Sequence, residues 1–480
     1  MRLSNPGTVP LRSRFIAGAL IALVLAAAAV VTMPRWIPPP LIEKLADKRF
    51  GRKPPPWREP APRDALEARR QDLRYLAALP DVDVTFSAAA RQRFDAVLSG
   101  LAAHADTLDP IAFDLGLAHA VAQSGNAHTA VDANLWREIL ERVPVSFAWF
   151  PDGLHIVRTA AGHEELLGAR VVFLDGEDPA AWLPRIALYV PGLAQHVKAV
   201  SPLFLEAPQA LHVMNPAVPA DRMTLGVADG AGAAHEVVVA ALPPHPSAER
   251  LPNGGVARSV VPPANERTSR GLLPRDRLPV SLRGADHLTY YEVLSPGVLY
   301  LHSWRVSRGF GPEADREIRS AIASGPRPWK RIVLDLRYNG GGEYPAVYWA
   351  LRALVDSLAP DGKIAILTND ATFSGALITA AIVKHFAGSR AVIVGEPAGD
   401  RLQFYAEGND MVLPNSKIHV HTATGYHDWA HGCRELRCYW PNFWYDVGVG
   451  TIDPDLRVAW DFDDYRRGVD PVLAAALQAR

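Results

Sequence analysis

The sequence is short of net charge and of cysteine, and both shortages narrow its possible functions. Its 50 basic and 51 acidic side chains give a formal net charge of −1, so there is no electrostatic basis for binding nucleic acid. Two cysteines occur among 480 residues, which allows no more than one disulfide bond within the chain. Hydrophobic residues make up 49% of the chain, enough for a large core, and the length suggests about three domains.

Charged residues are also missing from residues 15–33, an uninterrupted run of 19 mainly apolar residues. A helix that spans a bilayer needs about 20 such residues, whereas the apolar core of a cleaved signal peptide has about 7–15. Residues 1–14 contain three arginines, and the positive-inside rule places this basic tail in the cytoplasm. We therefore expect an uncleaved transmembrane anchor at residues 15–33, with the rest of the chain on the periplasmic or extracellular side. A cleaved signal peptide is the alternative.

Composition changes along the remaining chain predict its domain organisation. Prolines recur in residues 34–63, and they favour a stiff linker that holds the globular part away from the membrane. Residues 64–143 place apolar side chains three and four positions apart, which is typical of helices, and residues 144–250 are rich in strand patterns. A second linker is predicted at residues 251–285, and residues 286–480 alternate strands and helices as an α/β domain does.

Two successive strand ends in the last domain carry the strongest sign of chemistry. Residues 332–336 form a short apolar run that is followed by three glycines, residues 340–342. Residues 363–367 form the next apolar run, and Ser374 stands after it, just before an apolar helical pattern. Glycine N–H groups, and a hydroxyl at a helix N-terminus, are what a nucleophilic serine with an oxyanion hole needs. The alternative is a plain glycine turn and a serine that only caps a helix.

Several motifs occur in a fixed order along the chain: DLRYNGGG, LTNDATFSGALITA, VIVGEPAGD, VLPNS, IDPDLRV and GVDPVL. In this order they resemble the C-terminal processing (tail-specific) protease family of serine peptidases, most closely its tricorn-like and retinoid-binding-protein-like branches. The resemblance covers residues 286–480 well and residues 64–180 loosely. It implies a crotonase-like α/β catalytic core at 286–480, behind a helical N-terminal cap.

The resemblance also implies roles for individual residues. Ser374 would be the nucleophile, and His128, which follows the helical pattern of the cap, would be its general base. Imidazole suits that role because its unperturbed pKa is about 6.5. The backbone N–H groups of Gly341, Gly342 and Gly375 would hold the oxyanion.

The processing-protease branch uses a serine–lysine dyad, and this chain departs from it. Pro397 stands about where the lysine of that dyad would fall. Lys384 is ten residues beyond Ser374 in the same helical pattern, nearly three turns away and too far to take the proton. A Ser–His arrangement is therefore favoured over a dyad.

A histidine base is normally oriented by a carboxylate. Glu396 is the first choice for this role, because it lies in the loop where the dyad branch keeps its base. Asp370 and Asp400 are the rivals. The tricorn-like branch has a serine beside its histidine that links it to a glutamate, and Ala127 stands at that position here. That relay is therefore absent or altered in this chain.

The middle segment contains a second resemblance. Residues 167–176, LGARVVFLDG, resemble the core strand of a PDZ module, and other members of the family use a PDZ-like domain to bind substrate tails along a sheet edge. No carboxylate-binding loop is evident in the sequence. Residues 144–250 are therefore expected to form a PDZ-like domain, with a purely structural β-subdomain as the alternative.

Both cysteines lie in residues 427–438, HDWAHGCRELRC. With His427 and His431, their spacing suits a zinc site. Disulfides persist outside the cytoplasm, however, and a tight turn brings two cysteines at this separation within bonding range. We predict a Cys433–Cys438 disulfide, with free thiols or a metal site as the alternatives.

Taken together, these features predict a membrane-anchored, extracytoplasmic serine peptidase that acts on a peptide or protein substrate. No cofactor, metal or nucleic-acid partner is expected for it. One alternative is a catalytically inactive family member that binds a peptide or apolar ligand in the same cleft. A second alternative is a zinc hydrolase that uses residues 427–438.

Overall fold

The structure, a computed structural model, describes residues 39–228, 234–244, 259–261, 269–309 and 311–479. The anchor expected at residues 15–33 lies outside these ranges. Within them, none of the helices has both the length and the apolar character that crossing a bilayer requires.

Within the described residues, six helices precede the first strand. Four of them start at a residue whose side chain accepts a hydrogen bond from a backbone N–H of the first turn, namely Asp64, Ser87, Asp109 and Asp132, which is how such residues favour helix N-termini. The helices are α1 (Pro39–Phe50), α2 (Ala65–Leu76), α3 (Leu79–Val82), α4 (Ala88–Ala103), α5 (Pro110–Ala122) and α6 (Ala133–Ile139).

The segment predicted as a stiff linker is described from residue 39 onward. This part is partly helical and packs against the rest of the chain. Helix α1 ends at Phe50, whose ring contacts Tyr439 at 5.4 Å between centroids. Farther along, the Tyr75 hydroxyl donates to the carbonyl of Pro55 at 3.0 Å, and Trp57 packs on the Tyr75 ring. These contacts replace the extended spacer that the prolines suggested.

The middle of the chain forms an antiparallel sheet with the strand order β1-β2-β3-β4-β5, and β6 pairs with β2. Four short helices lie between β3 and β4, which the strand patterns did not predict. The elements are β1 (Val145–Phe150), β2 (Gly153–Ala160), β3 (Arg170–Leu174), α7 (Leu183–Ile186), α8 (Ala194–Val200), α9 (Pro202–Leu205), α10 (Pro208–Met214), β4 (Arg222–Ala228), β5 (Ala234–Ala240) and β6 (Ser269–Gly271).

The N-terminal helices and the middle sheet share one hydrophobic core. Phe94 and Leu117 from helices α4 and α5 belong to the same buried cluster as Phe147 and Leu225 from β1 and β4. The two segments that the sequence separated therefore pack as one body.

The last part of the chain has the alternating α/β pattern that the sequence predicted. Its elements are β7 (Thr289–Ser295), β8 (Val298–Ser303), α11 (Glu313–Ala323), β9 (Trp329–Asp335), α12 (Tyr348–Asp356), β10 (Leu358–Thr368), α13 (Gly375–Ala387), β11 (Ala391–Gly395), β12 (Gln403–Glu407), β13 (Met411–Val412), β14 (His419–Val420), β15 (Ala423–Asp428), α14 (Trp440–Tyr445), β16 (Leu456–Arg457), α15 (Phe462–Arg466) and α16 (Pro471–Gln478).

A six-stranded sheet with the order β16-β11-β10-β9-β8-β7 forms the centre of this part. All neighbouring strands are parallel except β7 and β8. Alternate residues of β9 face opposite layers: Leu334 packs with helices α11 to α13, while Val333 packs with α16. Because parallel strands end at the same edge, the loops after β9, β10 and β11 converge there.

Candidate active site

Ser374 lies in a strained turn at the start of helix α13. Its backbone has φ 52° and ψ −125°, a region that non-glycine residues rarely occupy and that is associated with functional sites. Two hydrogen bonds hold the turn against the segment that follows β9. The N–H of Phe373 donates to the carbonyl of Asn339 at 3.0 Å, and the Thr372 hydroxyl donates to the carbonyl of Leu336 at 2.9 Å. These bonds fix the serine against the glycine loop that follows β9.

The glycine loop approaches Ser374 so closely that side chains are excluded. Gly341 and Gly342 have φ values of 115° and 129°. A Cβ on Gly341 would lie 2.8 Å from the Cβ of Ser374, and a Cβ on Gly342 would lie 2.7 Å from the carbonyl oxygen of Ser307. A Cβ on Gly375 would overlap the carbonyl of Gly342. Gly341 and Gly342 therefore require glycine for both conformation and space, and Gly375 requires it for space.

The hydrogen bonds of the loop show which N–H groups can serve as oxyanion donors. The Gly341 N–H donates to Asn339 Oδ1 at 2.8 Å, so it is already engaged. The N–H groups of Gly342 and Gly375 donate no hydrogen bond within the described part of the chain. Asn339 itself is buried, and its Nδ2 donates to the carbonyl of Ser303 at 2.6 Å. Of the three N–H groups predicted to hold an oxyanion, those of Gly342 and Gly375 are therefore not engaged by another described residue.

A buried ion network supports the glycine loop from below. Arg337 Nη2 lies 2.6 Å from Asp335 Oδ2 and 2.8 Å from Asp470 Oδ2. The Tyr300 hydroxyl donates to Asp335 Oδ2 at 2.8 Å, and His302 Nε2 contacts the carbonyl of Arg337 at 3.1 Å. Burial raises the pKa of the Asp335 carboxyl, but the Arg337 charge outweighs it and the pKa is lowered overall. Arg337 and Asp470 stand in the ordered motifs DLRYNGGG and GVDPVL, but no role was predicted for either of them from the sequence.

His128 lies on a short turn after helix α5. The N–H of Thr129 donates to the carbonyl of Asn126 at 2.9 Å, which closes the turn. The Thr129 hydroxyl donates to Asp83 Oδ2 at 2.8 Å, and Asn126 Nδ2 donates to the carbonyl of Tyr405 at 3.1 Å. The turn is thus attached to both the helical segment and the α/β part.

The imidazole of His128 stacks between two phenyl rings. Its centroid is 4.6 Å from that of Phe373 and 4.8 Å from that of Phe404, with interplanar angles of 22° and 9°. Phe373 stacks on His196 as well, at 4.6 Å. The predicted base therefore packs against the residue that directly precedes the predicted nucleophile, Ser374.

Asp400, and not Glu396, is the carboxylate beside the ring. His128 Nδ1 lies 3.6 Å from Asp400 Oδ2. Neither imidazole nitrogen, nor Asp400 Oδ2, has a hydrogen-bond partner among the described residues. Glu396 forms no ion pair with His128 there; it lines a separate cavity together with Asp370. The first choice made from the sequence is therefore replaced by one of its rivals, because the N–H of Gly399 donates to the carbonyl of Thr372 at 2.9 Å and holds the loop that carries Asp400 beside Phe373.

Burial determines the protonation of this pair. Desolvation lowers the pKa of His128 from 6.5 to about 3, with smaller contributions from neighbouring histidines. Desolvation raises the pKa of Asp400 from 3.8 to about 6, opposed by the hydrogen bond from the backbone N–H of Arg401. At neutral pH the ring is therefore neutral, as a general base must be, and the carboxylate is mostly ionised.

Two cavities flank the loops of the site. One, of about 410 Å³, lies between strand β1 and the ends of β9 and β10, and it is lined by Tyr338, Asn369 and Glu396 among others. The second, of about 460 Å³, lies beside Ala127, Asp400 and Phe404. Both have room for segments of a substrate.

The remaining residues named from the sequence fall outside this arrangement. Lys384 Nζ donates to the carbonyl of Thr451 at 2.7 Å, in agreement with its exclusion as a base. Cys433 and Cys438 form the predicted disulfide, with Cα atoms 5.7 Å apart, so their sulfurs are not available as zinc ligands. His427 stacks on Phe404 at 4.6 Å. The part of the chain that the structure describes contains no group of three or more residues able to hold a metal ion.

No protein-family model matches the chain, and no curated protein sequence matches it. Among solved structures, mature CPAF in complex with lactacystin matches with a TM-score of 0.55 and 16% sequence identity, over 87% of this chain and 100% of that chain. Mature CPAF without that compound matches with a TM-score of 0.54 and 14% identity, over 86% and 98% of the two chains. The resemblance drawn from the motifs is thus confirmed at the level of the fold: this chain has the fold of CPAF, a serine peptidase of the tail-specific type.

Proposed function

We propose that the chain is a serine peptidase that cleaves peptide bonds with Ser374 as the nucleophile. The observation that carries the proposal is the position of Ser374. It lies in a strained turn against the N–H groups of Gly342 and Gly375, neither of which donates a hydrogen bond within the described residues. A hydroxyl and two preorganised donors at a helix N-terminus suit an acyl-transfer reaction. The shared fold with CPAF agrees with this chemistry.

In the proposed reaction His128 takes the proton of the Ser374 hydroxyl while Oγ attacks the substrate carbonyl. The N–H groups of Gly342 and Gly375 stabilise the negative oxygen of the tetrahedral intermediate. The C–N bond then breaks, and His128 gives its proton to the leaving amine. Water, deprotonated by the same ring, then attacks the acyl-enzyme. The ester bond to Ser374 breaks, the ring returns the proton to Ser374 Oγ, and the acid is released.

Asp400 is the positioning residue for His128 in this proposal. A carboxylate beside Nδ1 selects the tautomer in which Nε2 can accept a proton, and it stabilises the imidazolium that forms. The 3.6 Å separation is longer than a hydrogen bond, and catalytic hydrogen bonds are often long before substrate binds. The reaction therefore requires the ring to shift within its phenyl stack.

We further propose that the enzyme is anchored in the membrane by residues 15–33 and works outside the cytoplasm. The uncharged 19-residue run supports the anchor. The Cys433–Cys438 disulfide supports the compartment, since disulfides persist in oxidising surroundings.

A binding-only function is the second candidate, and one observation favours it. The His128 ring is held between Phe373 and Phe404, and its nitrogens make no hydrogen bond within the described residues, including to Ser374. A chain fixed in that arrangement would bind a peptide or apolar ligand in the cleft without cleaving it.

Labelling with a fluorophosphonate probe separates the two candidates. The full chain in detergent should be labelled at Ser374, as located by mass spectrometry of the digested protein. The Ser374→Ala variant should not be labelled, and the His128→Ala variant should be labelled far more slowly. A wild-type chain that binds peptides, remains folded by circular dichroism and takes up no probe would overturn the peptidase proposal in favour of binding alone.

A further inference from the structure

The segment after the proposed anchor limits how far the globular body can move away from the membrane. Residues 34–38 alone separate the anchor from α1, and five extended residues reach about 18 Å at most. Beyond α1, Gln71 Nε2 donates to the carbonyl of Pro60 at 3.0 Å. The Tyr75 hydroxyl holds Pro55, and Arg52 Nη1 donates to the carbonyl of Asp81 at 3.5 Å. The 12 residues of α1 add about 18 Å, so the body lies within about 36 Å of the bilayer that holds the anchor.

The part of the chain that the end of α1 contacts carries two exposed hydrophobic side chains. Leu436 is 92% exposed and is the most exposed large hydrophobic side chain among the described residues. It lies in the short loop that the Cys433–Cys438 disulfide closes. Phe443, on helix α14, is 41% exposed. Leu436, Trp440, Phe443 and Trp444 are called here the apolar face.

Direct contacts connect the apolar face to α1. Arg49 Nη2 donates to the carbonyl of Leu436 at 3.4 Å. The ring of Phe50 contacts Trp440 at 6.0 Å between centroids, and Trp440 contacts Trp444 at 5.7 Å. The last turn of α1 thus contacts the backbone of Leu436 and the ring of Trp440, and through Trp440 it adjoins Trp444.

The charge around this surface suits an anionic bilayer. Residues 39–53 carry five cationic and two acidic side chains. Arg434 and Arg437 flank Leu436, although each has an acidic partner, Asp446 and Glu435 respectively. Aromatic and cationic side chains together are typical of segments at the membrane–water interface.

We propose that the apolar face contacts the outer surface of the lipid bilayer in which the chain is anchored, with Leu436 and Phe443 inserted among the headgroups. This proposal rests on the transmembrane anchor of the proposed function and is independent of peptidase activity. The disulfide keeps the Leu436 loop closed, so the leucine is presented without ordering a flexible segment on binding.

Lipid quenching in nanodiscs tests the contact with the full chain. Both native cysteines are in the disulfide, so a thiol-reactive fluorophore labels only an introduced cysteine. Phe443→Cys places the label on the apolar face. Leu188→Cys is the matched control, because Leu188 is 49% exposed and lies just after α7 in the middle of the chain. In bilayers of phosphatidylcholine with some phosphatidylglycerol, headgroup-level doxyl lipids should quench the label at 443 at least about twofold more than the label at 188.

A second pair of variants links the effect to Leu436. Leu436→Glu should reduce quenching at position 443, because a charged side chain is unfavourable among the lipids, while Leu188→Glu should leave it unchanged. Equal quenching at 443 and 188 in a chain that resists alkaline extraction would overturn the contact but leave the anchor intact. A chain that alkaline carbonate extracts from the bilayer would overturn the anchor and this proposal together, and peptide hydrolysis would be unaffected by either result.

Discussion

Two buried polar clusters lie on either side of the glycine loop, and they differ in how well their groups are paired. Below the loop, the guanidinium of Arg337 contacts both Asp335 and Asp470 at 3.1 Å or less. On the cap side, the two nitrogens of His128 and one oxygen of Asp400 have no hydrogen-bond partner within the described residues. The first cluster is complete as it stands, whereas the second lacks partners.

This difference in hydrogen bonding distinguishes a cluster that supports the fold from a cluster that suits a part in catalysis. Buried polar groups are nearly always paired in folded proteins, because an unpaired group loses its hydration without compensation. A fully paired network makes a rigid frame, which suits the Arg337 cluster beneath the proposed oxyanion donors. Unpaired groups persist mostly where a substrate or a catalytic step completes them, which suits His128 and Asp400.

The largest effect is expected from breaking the paired cluster. Arg337→Met leaves two buried carboxylates without their cation and should lower the free energy of unfolding by about 3–5 kcal/mol. Chemical denaturation monitored by circular dichroism measures this change. Arg352→Met is the matched control: Arg352 pairs with Asp356 on the surface, where both side chains are about half exposed, and its loss should cost under about 1 kcal/mol. Similar losses of unfolding free energy in the two variants would show that the Arg337 network stabilises the fold no more than a surface ion pair does.

Removing the His128 ring should affect catalysis more than stability. His128→Ala is expected to reduce kcat for peptide hydrolysis about 10²–10⁴-fold, the usual contribution of a general base, while the free energy of unfolding should fall less than it does in Arg337→Met. His235→Ala, at an exposed position on β5, should leave both quantities unchanged. A stable His128→Ala variant with unchanged kcat would remove the histidine from the mechanism.

The loop between the two clusters is sensitive to a single methyl group. Gly342→Ala should clash with the backbone of Ser307 and displace an oxyanion donor, which costs about 10²–10³-fold in kcat. Gly340→Ala is the control, since its Cβ would meet no atom within 4 Å. Equal activity of the two variants would exclude Gly342 as a donor.

The carboxylate that acts on His128 can be identified by its pH dependence. Burial raises the pKa of Asp400 to about 6, and the reaction needs its ionised form, so kcat/KM should rise with pH through about 6. Asp400→Asn should remove this rise and lower activity by about 10²-fold. Glu396→Gln should keep both the rise and the activity. The reverse pattern would restore Glu396 as the positioning residue.

The smallest effect concerns stability against pH, where the two groups oppose each other. The pKa of His128 is about 3 in the folded chain, against an ordinary value of 6.5 in the unfolded chain. Below about pH 6.5 the unfolded chain therefore binds more protons, and the free energy of unfolding falls as pH falls. The pKa of Asp400 is about 6 in the folded chain, against an ordinary value of 3.8 in the unfolded chain. Between these pH values the folded chain binds more protons, so this group raises the free energy of unfolding as pH falls. Thermal unfolding of Asp400→Asn should therefore depend more steeply on pH below 6 than that of the wild type.

Local patterns were enough to predict the elements around the site. The apolar run 332–336 overlaps strand β9, and the run 363–367 lies within β10. The helical pattern after Ser374 lies within α13, and the cysteine pair forms its disulfide. Each of these depends on residues close together in sequence, where periodicity and chain geometry decide the outcome.

Long-range pairing explains what the sequence did not reveal. The Arg337–Asp470 contact joins residues 133 positions apart, and Asp72 in α2 accepts the N–H groups of Asn415 and Ser416. The choice between Asp400 and Glu396 depended on how a loop folds back on Phe373, which no local pattern encodes. The motif residues Asn415, Ser416 and Asp470 hold the framework together and take no direct part in the proposed chemistry.

Asn339 connects the two halves of the site through one residue. Its side-chain amide donates a hydrogen bond to the carbonyl of Ser303 and accepts one from the N–H of Gly341. Its backbone carbonyl accepts a hydrogen bond from the N–H of Phe373, next to Ser374. None of these bonds uses the serine hydroxyl. A descendant of this chain that lost the hydroxyl alone would keep the shape of its cleft, so an enzyme and a receptor built on this framework are separated by a single oxygen atom.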